Sequence, residues 1–292
     1  MKSLIILNPV SCGGRAAGMR GTLENILQRL NLDYHIHVSI SSNDVADTVK
    51  ANIGRYTNFI SFGGDGTLHS IANVLAKTDK NLGCIPVGSG NDIARNLDLP
   101  MDMEKSCIAI KNCIIKKIDL GLINKKYYYL GVSGAGFDSV VTDLANNTKF
   151  PFRGPAKYKY AVYQTLLTYR PKKFHIKFGE NYINTECMFA VVGNMKMYGG
   201  GMKITPDASP EDSMLDLCII QKMSKLHFIK TFPLVFEGKH INDPFVKSFR
   251  SKSIEIDSDY NFSVYADGEY ICKLPAIYDV VPKALNFIVA KK

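Results

Sequence analysis

The sequence predicts an α/β protein: an open α/β domain at the N-terminus, a second, mainly antiparallel β domain after it, and an active site in the cleft between the two. Three observations lead there. In the first third of the chain, short apolar runs repeatedly enter a glycine loop and then a helix-spaced apolar pattern. Near residue 122 that alternation gives way to short β-rich segments. No repeat, low-complexity tract or long linker separates the parts, so two domains, 1–122 and 123–292, are expected to pack closely.

Leu4 to Leu7 reads as the first strand, and it runs into Asn8-Pro9-Val10-Ser11-Cys12-Gly13-Gly14 ahead of a helix whose face is Leu23, Ile26, Leu27 and Leu30. Alternation at Tyr34, Ile36, Val38 and Ile40 marks a half-buried strand, followed by a helix from Asp44 to about Arg55. Phe59 to Phe62 is a strand entering Gly63-Gly64-Asp65-Gly66-Thr67, after which Leu68, Ile71, Ala72 and Leu75 share one helix face. Gly83 to Val87 then enters Gly88-Ser89-Gly90-Asn91-Asp92, and a helix is expected from Asp102 to about Cys113. Beyond residue 122 the strand signals are Tyr127–Val132, Lys173–Phe178, Cys187–Val192, Leu215–Gln221, Ser253–Ile256, Phe262–Tyr265 and Leu285–Val289. Helical patterns interrupt them near Tyr158–Tyr169 and Lys225–Phe236.

A strand entering a glycine turn that opens a helix is a phosphate cradle. Glycine lets backbone approach an anion with positive φ at little cost, and the helix N-terminus offers unpaired N–H groups and a positive dipole end. Loops at the carboxyl ends of strands gather along one edge of an open α/β sheet, so three such loops can surround one ligand. Asp65 is the odd member, because a carboxylate aimed at polyphosphate would repel it; holding a bridging Mg²⁺ is the use that fits. An ordinary strand-to-helix turn is the alternative reading of the glycines alone.

Composition is that of a globular enzyme, with 46% apolar and 22% charged residues. Seven scattered cysteines without metal-ligand spacing imply reduced thiols and a cytoplasmic setting. No apolar stretch reaches the ~20 residues needed to span a bilayer, and Met1-Lys2-Ser3 leads straight into a strand, so no signal peptide is expected. The net charge of +9 implies an anionic partner. Nucleic acid is disfavoured: there is no zinc-finger spacing, RNA-binding aromatic motif or long basic arm. The stretch from Phe150 to Tyr160 mixes aromatics with Arg153, Lys157 and Lys159, which suits reversible docking on an anionic membrane surface; packing of the same aromatics on the core is the alternative.

Taken together, Asn8-Pro9 with Gly13-Gly14, Gly63-Gly64-Asp65-Gly66-Thr67, Gly88-Ser89-Gly90-Asn91-Asp92, Asp119-Leu120-Gly121, Gly199-Gly200-Gly201 through Pro206 to Leu215-Asp216, and Asp267-Gly268-Glu269 resemble the soluble bacterial lipid kinases of the diacylglycerol kinase catalytic-domain family, and do so in the family's order over nearly the whole chain. The resemblance implies a Rossmann-like first domain, return of the C-terminal end toward it, and ATP- and Mg²⁺-dependent phosphorylation of a diacylglycerol-like lipid hydroxyl. By position it implies nucleotide contacts at Asn8, Gly13, Gly14, Ser41, Gly63, Gly64, Asp65, Gly66, Thr67, Leu68, His69 and Ser89, with Asp65, Asp92 and Asp119 in an acidic network around the catalytic Mg²⁺. Read without it, Asp92 and Asp119 are ordinary turn or cap residues. One departure is His69-Ser70, where these kinases usually show Asn-Glu.

The acceptor alcohol needs a proton acceptor within hydrogen-bond reach. Asp267-Gly268-Glu269 reads as a hairpin turn; the resemblance puts the catalytic carboxylate here, with Asp267 as the first candidate and Glu269 as the alternative. It also implies a structural Mg²⁺ held by Asp212 and the carbonyls of Ser209 and Met214, although Asp212-Ser213 replaces the usual aspartate-glycine. An NAD kinase shares Gly63-Gly64-Asp65-Gly66 and is the first rival; a non-catalytic lipid or nucleotide sensor is the second. A homodimer is left open.

Overall fold

The computed structural model describes residues 2–148 and 155–291, and the chain divides into two compact units: Met1–Asp119 with Pro282–Lys292, and Leu120–Val281.

The first unit contains β1 (Ser3–Leu7), α1 (Arg20–Arg29), β2 (Tyr34–Val38), α2 (Ser42–Asn52), β3 (Asn58–Gly63), α3 (Asp65–Leu75), β4 (Asn81–Pro86), α4 (Asp92–Asn96), α5 (Met103–Asn112) and the start of β5 (Ile114–Ile123). Strands β2, β1, β3 and β4 lie side by side and parallel, and the C-terminal end of the chain adds a fifth parallel strand beside β4 through Asn286 and Phe287. Strands β1, β3 and β4 are buried throughout, as parallel strands covered on both faces must be. Ile5, Leu7, Ile60, Phe62 and Ile85 meet Leu23, Leu27, Cys107, Ile110 and Ile288 in one core. Because the strands are parallel and in register from Leu7 to Phe62 and from Gly63 to Pro86, the loops that follow them emerge at one edge.

The second unit takes up the rest of β5 and continues with β6 (Tyr127–Tyr129), β7 (Val132–Gly136), α6 (Phe137–Asn147), α7 (Pro155–Thr168), β8 (Lys172–Phe178), β9 (Asn181–Gly193), β10 (Leu215–Gln221), α8 (Lys225–Thr231), β11 (Val246–Ser251), β12 (Ser253–Ser258), β13 (Ser263–Ala266), β14 (Glu269–Lys273) and β15 (Ala276–Val289), whose last residues belong to the first unit. Its ladders β14–β13–β7–β9–β8–β12–β15 and β9–β10–β11 are antiparallel. Strand β9 carries the unit: its first half pairs with β8 and its second half with β7 and β10. Ala190 and Val192 enter a core with Phe174, Ile254, Val264 and Tyr278, whereas Met188 and Val191 enter another with Phe137, Phe228 and Val235. Burial on both faces explains the unbroken apolar run from Cys187 to Val192.

The fold class is as the sequence indicates, with local corrections. The expected strand Tyr127–Val132 is two strands, broken at Leu130-Gly131. The expected helix Lys225–Phe236 ends at Thr231 and tightens into a 3₁₀ turn over Phe232–Phe236, because Pro233 has no N–H to give. Strand β15 starts nine residues earlier than Leu285, and α6 was not anticipated at all. Of the basic-aromatic stretch, residues 150–154 lie outside the described residues, as do the side chains of 155–159. Among the described residues no helix is long and apolar enough to cross a membrane.

Candidate functional site

Three loops meet at the carboxyl edge of the first unit's sheet. After β1, Cys12, Gly13 and Gly14 take left-handed φ of 55°, 69° and 92°. After β3, Gly64 caps α3 without a side-chain cap, and Asp65 stands in the helix's first turn. After β4, the loop Gly88–Asn91 is closed by Asn91, whose side chain accepts from Gly88 N–H at 2.8 Å and donates to Gly88 C=O at 3.0 Å.

Two contacts set the distances between these loops. Asn8 Nδ2 donates to Thr67 Oγ1 at 3.1 Å, which joins the first loop to α3. The Asp65 carboxylate accepts from Asp92 N–H at 3.2 Å and Ile93 N–H at 3.1 Å, which joins the second loop to the third. Glycine is required for this closeness: a Cβ on Gly88 would lie 2.5 Å from Gly64 Cα, and one on Gly63 would lie 2.6 Å from Thr67 Oγ1. A cradle that a single methyl would fill fits backbone approach to polyphosphate.

The other residues picked out in this unit fall into three groups. Gly13, Gly14, Ser89 and Asp65 lie on the accessible side, whereas Thr67, Leu68, His69 and Asp92 are buried. Leu68 is 1% exposed, so only its backbone could meet a nucleotide. Ser41 accepts from Asp44 N–H at 3.1 Å and caps α2. Asp119 is buried and accepts from Lys283 N–H at 2.7 Å, tying β5 to the returning C-terminal strand. For Mg²⁺ the donor set is partial. A Cβ on Gly90 would lie 3.2 Å from Asp65 Oδ2 and 3.5 Å from Asp92 Oδ2, so two carboxylates flank one glycine. Mg²⁺ commonly takes one or two carboxylates and completes its shell with water and substrate phosphate, and the pair fits that use.

In the second unit, Asp267 and Gly268 form the two-residue turn of the β13–β14 hairpin with φ of 52° and 88°, the geometry that favours Asp-Gly. The Asp267 carboxylate spans the β6–β7 break: Oδ2 accepts from Leu130 N–H at 2.9 Å and Oδ1 from Gly131 N–H at 2.8 Å. Glu269 is exposed at the start of β14. In the 209–216 loop, Asp212 accepts from Met214 N–H at 3.0 Å and pairs with Arg250, whose guanidinium also lies 3.5 Å from Asp216. Burial pushes the Asp216 carboxyl up to about 6 despite Arg250. Among the described residues no cluster of three or more His, Cys, Asp or Glu could hold a metal ion.

Two features escaped sequence reasoning. Asp138 opens α6 directly behind the glycine strand β7, and a Cβ on Gly134 would lie 2.1 Å from its Oδ2. Burial raises that carboxyl to about 7, against the lowering effect of the Ser139 N–H bond. Gly134-Ala135-Gly136-Phe137-Asp138 repeats the strand–glycine–helix pattern used to find the first unit's loops, so the signal was present. The other is a small, mostly apolar cavity of about 40 Å³ walled by Phe189, Met202, Ile220, Phe228, Val235 and His240 among others; its lining reads in sequence like ordinary core.

The first unit is a parallel sheet with a glycine cradle at its carboxyl edge, and the second is a mainly antiparallel unit. Comparison with known proteins adds the family. Residues 2–123 match the family model of the diacylglycerol kinase catalytic domain, and residues 131–289 that of the YegS C-terminal NAD kinase beta sandwich-like domain. A diacylglycerol kinase of Mycobacterium tuberculosis is 32% identical across 98% of this chain and 94% of its own; one from Bacillus subtilis is 28% identical across 100% and 97%. A crystal structure of a diacylglycerol kinase from Bacillus anthracis superposes with a TM-score of 0.77 at 20% identity, covering 99% of this chain and 96% of its own, a likeness of fold. The chain belongs to the diacylglycerol kinase family and is a lipid kinase.

Proposed function

We propose that this kinase transfers the γ-phosphate of ATP, with Mg²⁺, to the hydroxyl of a diacylglycerol-like lipid at an anionic membrane surface of the cytoplasm. The observation that carries the nucleotide half is the closed glycine cradle, in which Asn8–Thr67 and Asp65–Asp92/Ile93 hold three loops around one space. Phosphoryl transfer asks mainly for positioning and charge neutralisation, and bound Mg²⁺ would supply the latter. The α3 N-terminus and the backbone N–H groups of the loops would bind the phosphates. Asp65 would fix the loop spacing, and with Asp92 present a carboxylate face to the metal. A metal at Asp212, with the carbonyls of Ser209 and Met214, would have to displace Arg250.

The hairpin geometry supports Glu269 as the proton acceptor. Both Asp267 oxygens are engaged with the backbone N–H groups of Leu130 and Gly131 and hold that break in place. Glu269 is exposed and two residues away on a rigid hairpin, so we assign it proton acceptance and give Asp267 the positioning of that hairpin. Membrane docking rests on the +9 charge and the stretch 150–160. Transfer from radiolabelled ATP to a panel of diacylglycerol, phosphatidylglycerol, polyprenol and sphingoid base, with NAD alongside, tests the proposal. Label appearing only in NAD, or in nothing, refutes it.

A further inference from the structure

Two helices of the second unit turn leucines outward where they meet. Helix α7 buries Ala161, Val162, Thr165 and Leu166, whereas Tyr160, Tyr163 and Leu167, spaced i, i+3 and i+7 along its other face, are exposed, Leu167 by 73%. Helix α8 repeats the division: Phe228 and Thr231 are buried, while Leu226 and Ile229 are 66% and 44% exposed. Lys225 Nζ donates to the Leu167 carbonyl, so Leu167 and Leu226 stand on adjoining helix ends. Single exposed apolar side chains are ordinary, but a group of five on two joined helices marks an interaction surface.

The chain around them carries one sign of charge. From Pro155 to Gly179 there are six Lys or Arg and no Asp or Glu, and from Leu217 to Phe236 three Lys and again no acid. Lys222 is matched by Glu186 at 2.7 Å, but among the described residues Lys225 and Lys230 pair with no carboxylate. Asp243, which reaches α8, is turned inward with its side chain 10% exposed; its Oδ2 accepts from Thr231 Oγ1 at 2.8 Å and lies 2.7 Å from His227 Nε2. An apolar patch set among unmatched cations complements an anionic bilayer. The same charges disfavour a second copy of this chain, since two-fold pairing through this face would set acid-free cationic runs against each other.

We propose that Leu167, Leu226 and Ile229 insert into the acyl boundary of an anionic bilayer, with Tyr160 and Tyr163 at the headgroup level and Lys225 and Lys230 meeting the lipid charges. The proposal rests on the membrane docking given above and adds to it an apolar anchor on α7 and α8. Charge attraction is screened by salt, whereas apolar insertion is not, and that difference separates the two.

The test is sedimentation of the full chain with phosphatidylcholine–phosphatidylserine vesicles at low and high salt, beside the triple variant Leu167→Gln, Leu226→Gln and Ile229→Gln. Glutamine keeps helix propensity and the three positions are exposed, so the melting temperature and activity on a short-chain soluble analogue should be unchanged. Partitioning should fall roughly 10- to 100-fold, the ratio that partial burial of three such side chains supplies, and by the same factor at both salts. The chain has no tryptophan, so Leu226→Trp makes a single reporter, whose emission should shift blue on these vesicles and be quenched by brominated acyl chains. If salt weakens wild-type binding and the triple variant binds as wild type does, or if the reporter is never quenched, the anchor is overturned and the docking stands. A triple variant that changes molar mass in light scattering yet binds vesicles like wild type overturns the anchor and assigns the face to a second copy. Wild type that binds no vesicles overturns both.

Discussion

Replacing Asp267 by Asn and, separately, Glu269 by Gln divides the hairpin's structural work from its chemistry. The left-handed φ of 52° at position 267 suits Asn as well as Asp, so the turn itself survives. What is lost is pairing. The carboxylate accepts from two N–H groups at 2.9 and 2.8 Å, and Asn can offer one of them an oxygen but must turn its NH₂ toward the other. One charge-assisted bond goes and a donor faces a donor, a cost of about 2–4 kcal/mol. A destabilisation of that size lowers the melting temperature by roughly 5–15 °C in a unit this large. Glu269 is exposed, so Glu269→Gln should change stability by no more than about 0.5 kcal/mol. Its effect should fall on turnover instead, about the 10²–10⁴-fold associated with loss of a general base, with the KM for ATP little changed. Thermal melts and steady-state kinetics, run well below the lower melting temperature, separate the two. Near wild-type turnover in Glu269→Gln, together with a loss of 10²-fold or more in folded Asp267→Asn, would refute the assignment and return the base role to Asp267.

Four further outcomes are expected. Asp65→Ala removes the acceptor for Asp92 and Ile93 N–H, so it should both abolish transfer and cost about 1–2 kcal/mol of stability; retained activity, read by the same transfer assay, removes Asp65 from the mechanism. Gly88→Ala puts a methyl 2.5 Å from Gly64 Cα, and calorimetric titration with ATP should show affinity down at least about tenfold as the loops are forced apart. Asp138 holds its proton to about 7 when folded, while the unfolded carboxyl ionises near 3.8, so wild-type stability should fall relative to Asp138→Asn as pH rises from 4 to 7, by about 4 kcal/mol at most; parallel denaturation curves across that range would contradict it. Replacing Arg153, Lys157 and Lys159 together by Gln should weaken sedimentation with anionic vesicles and activity on embedded lipid, sparing a short-chain soluble analogue; salt-independent binding would assign the stretch to the fold.

What sequence reasoning could see was whatever local chemistry dictates. Strands β1, β3 and β4 and their glycine loops were legible because an apolar run, a glycine and a helical face follow each other within a few residues. The break between β6 and β7 was not, since it depends on a carboxylate 136 residues away taking the Gly131 N–H. Helix α6 was hidden by Val140, Val141 and Thr142, whose branching favours strand; tertiary packing of Phe137 on Tyr169, Phe189 and Phe228 overrides that preference. Strand β15 was shortened by Asp279, Pro282 and Lys283, which interrupt its alternation; Lys283 has φ of 49°, and its N–H goes to Asp119. In the site, the acids were legible as motif members, but which N–H groups they hold was not.

That last gap bears on how the acidic motifs work. Asp65 and Asp267 stand in different units and different motifs, yet each sits beside a glycine and points both oxygens at two successive backbone N–H groups of a separate loop. A carboxylate has about four acceptor sites, and this clamp uses one on each oxygen. The clamp fixes the glycine loop more firmly than a side chain–side chain pair would, because backbone N–H groups cannot swing away. It also explains why such acids need not be the proton-transfer groups of the motifs that contain them: their first task is to set where the neighbouring loop, and the residue two positions on, will stand. On that argument a conservative change to Asn at either position costs geometry before chemistry, and the chemistry lost is that of the group the clamp positions.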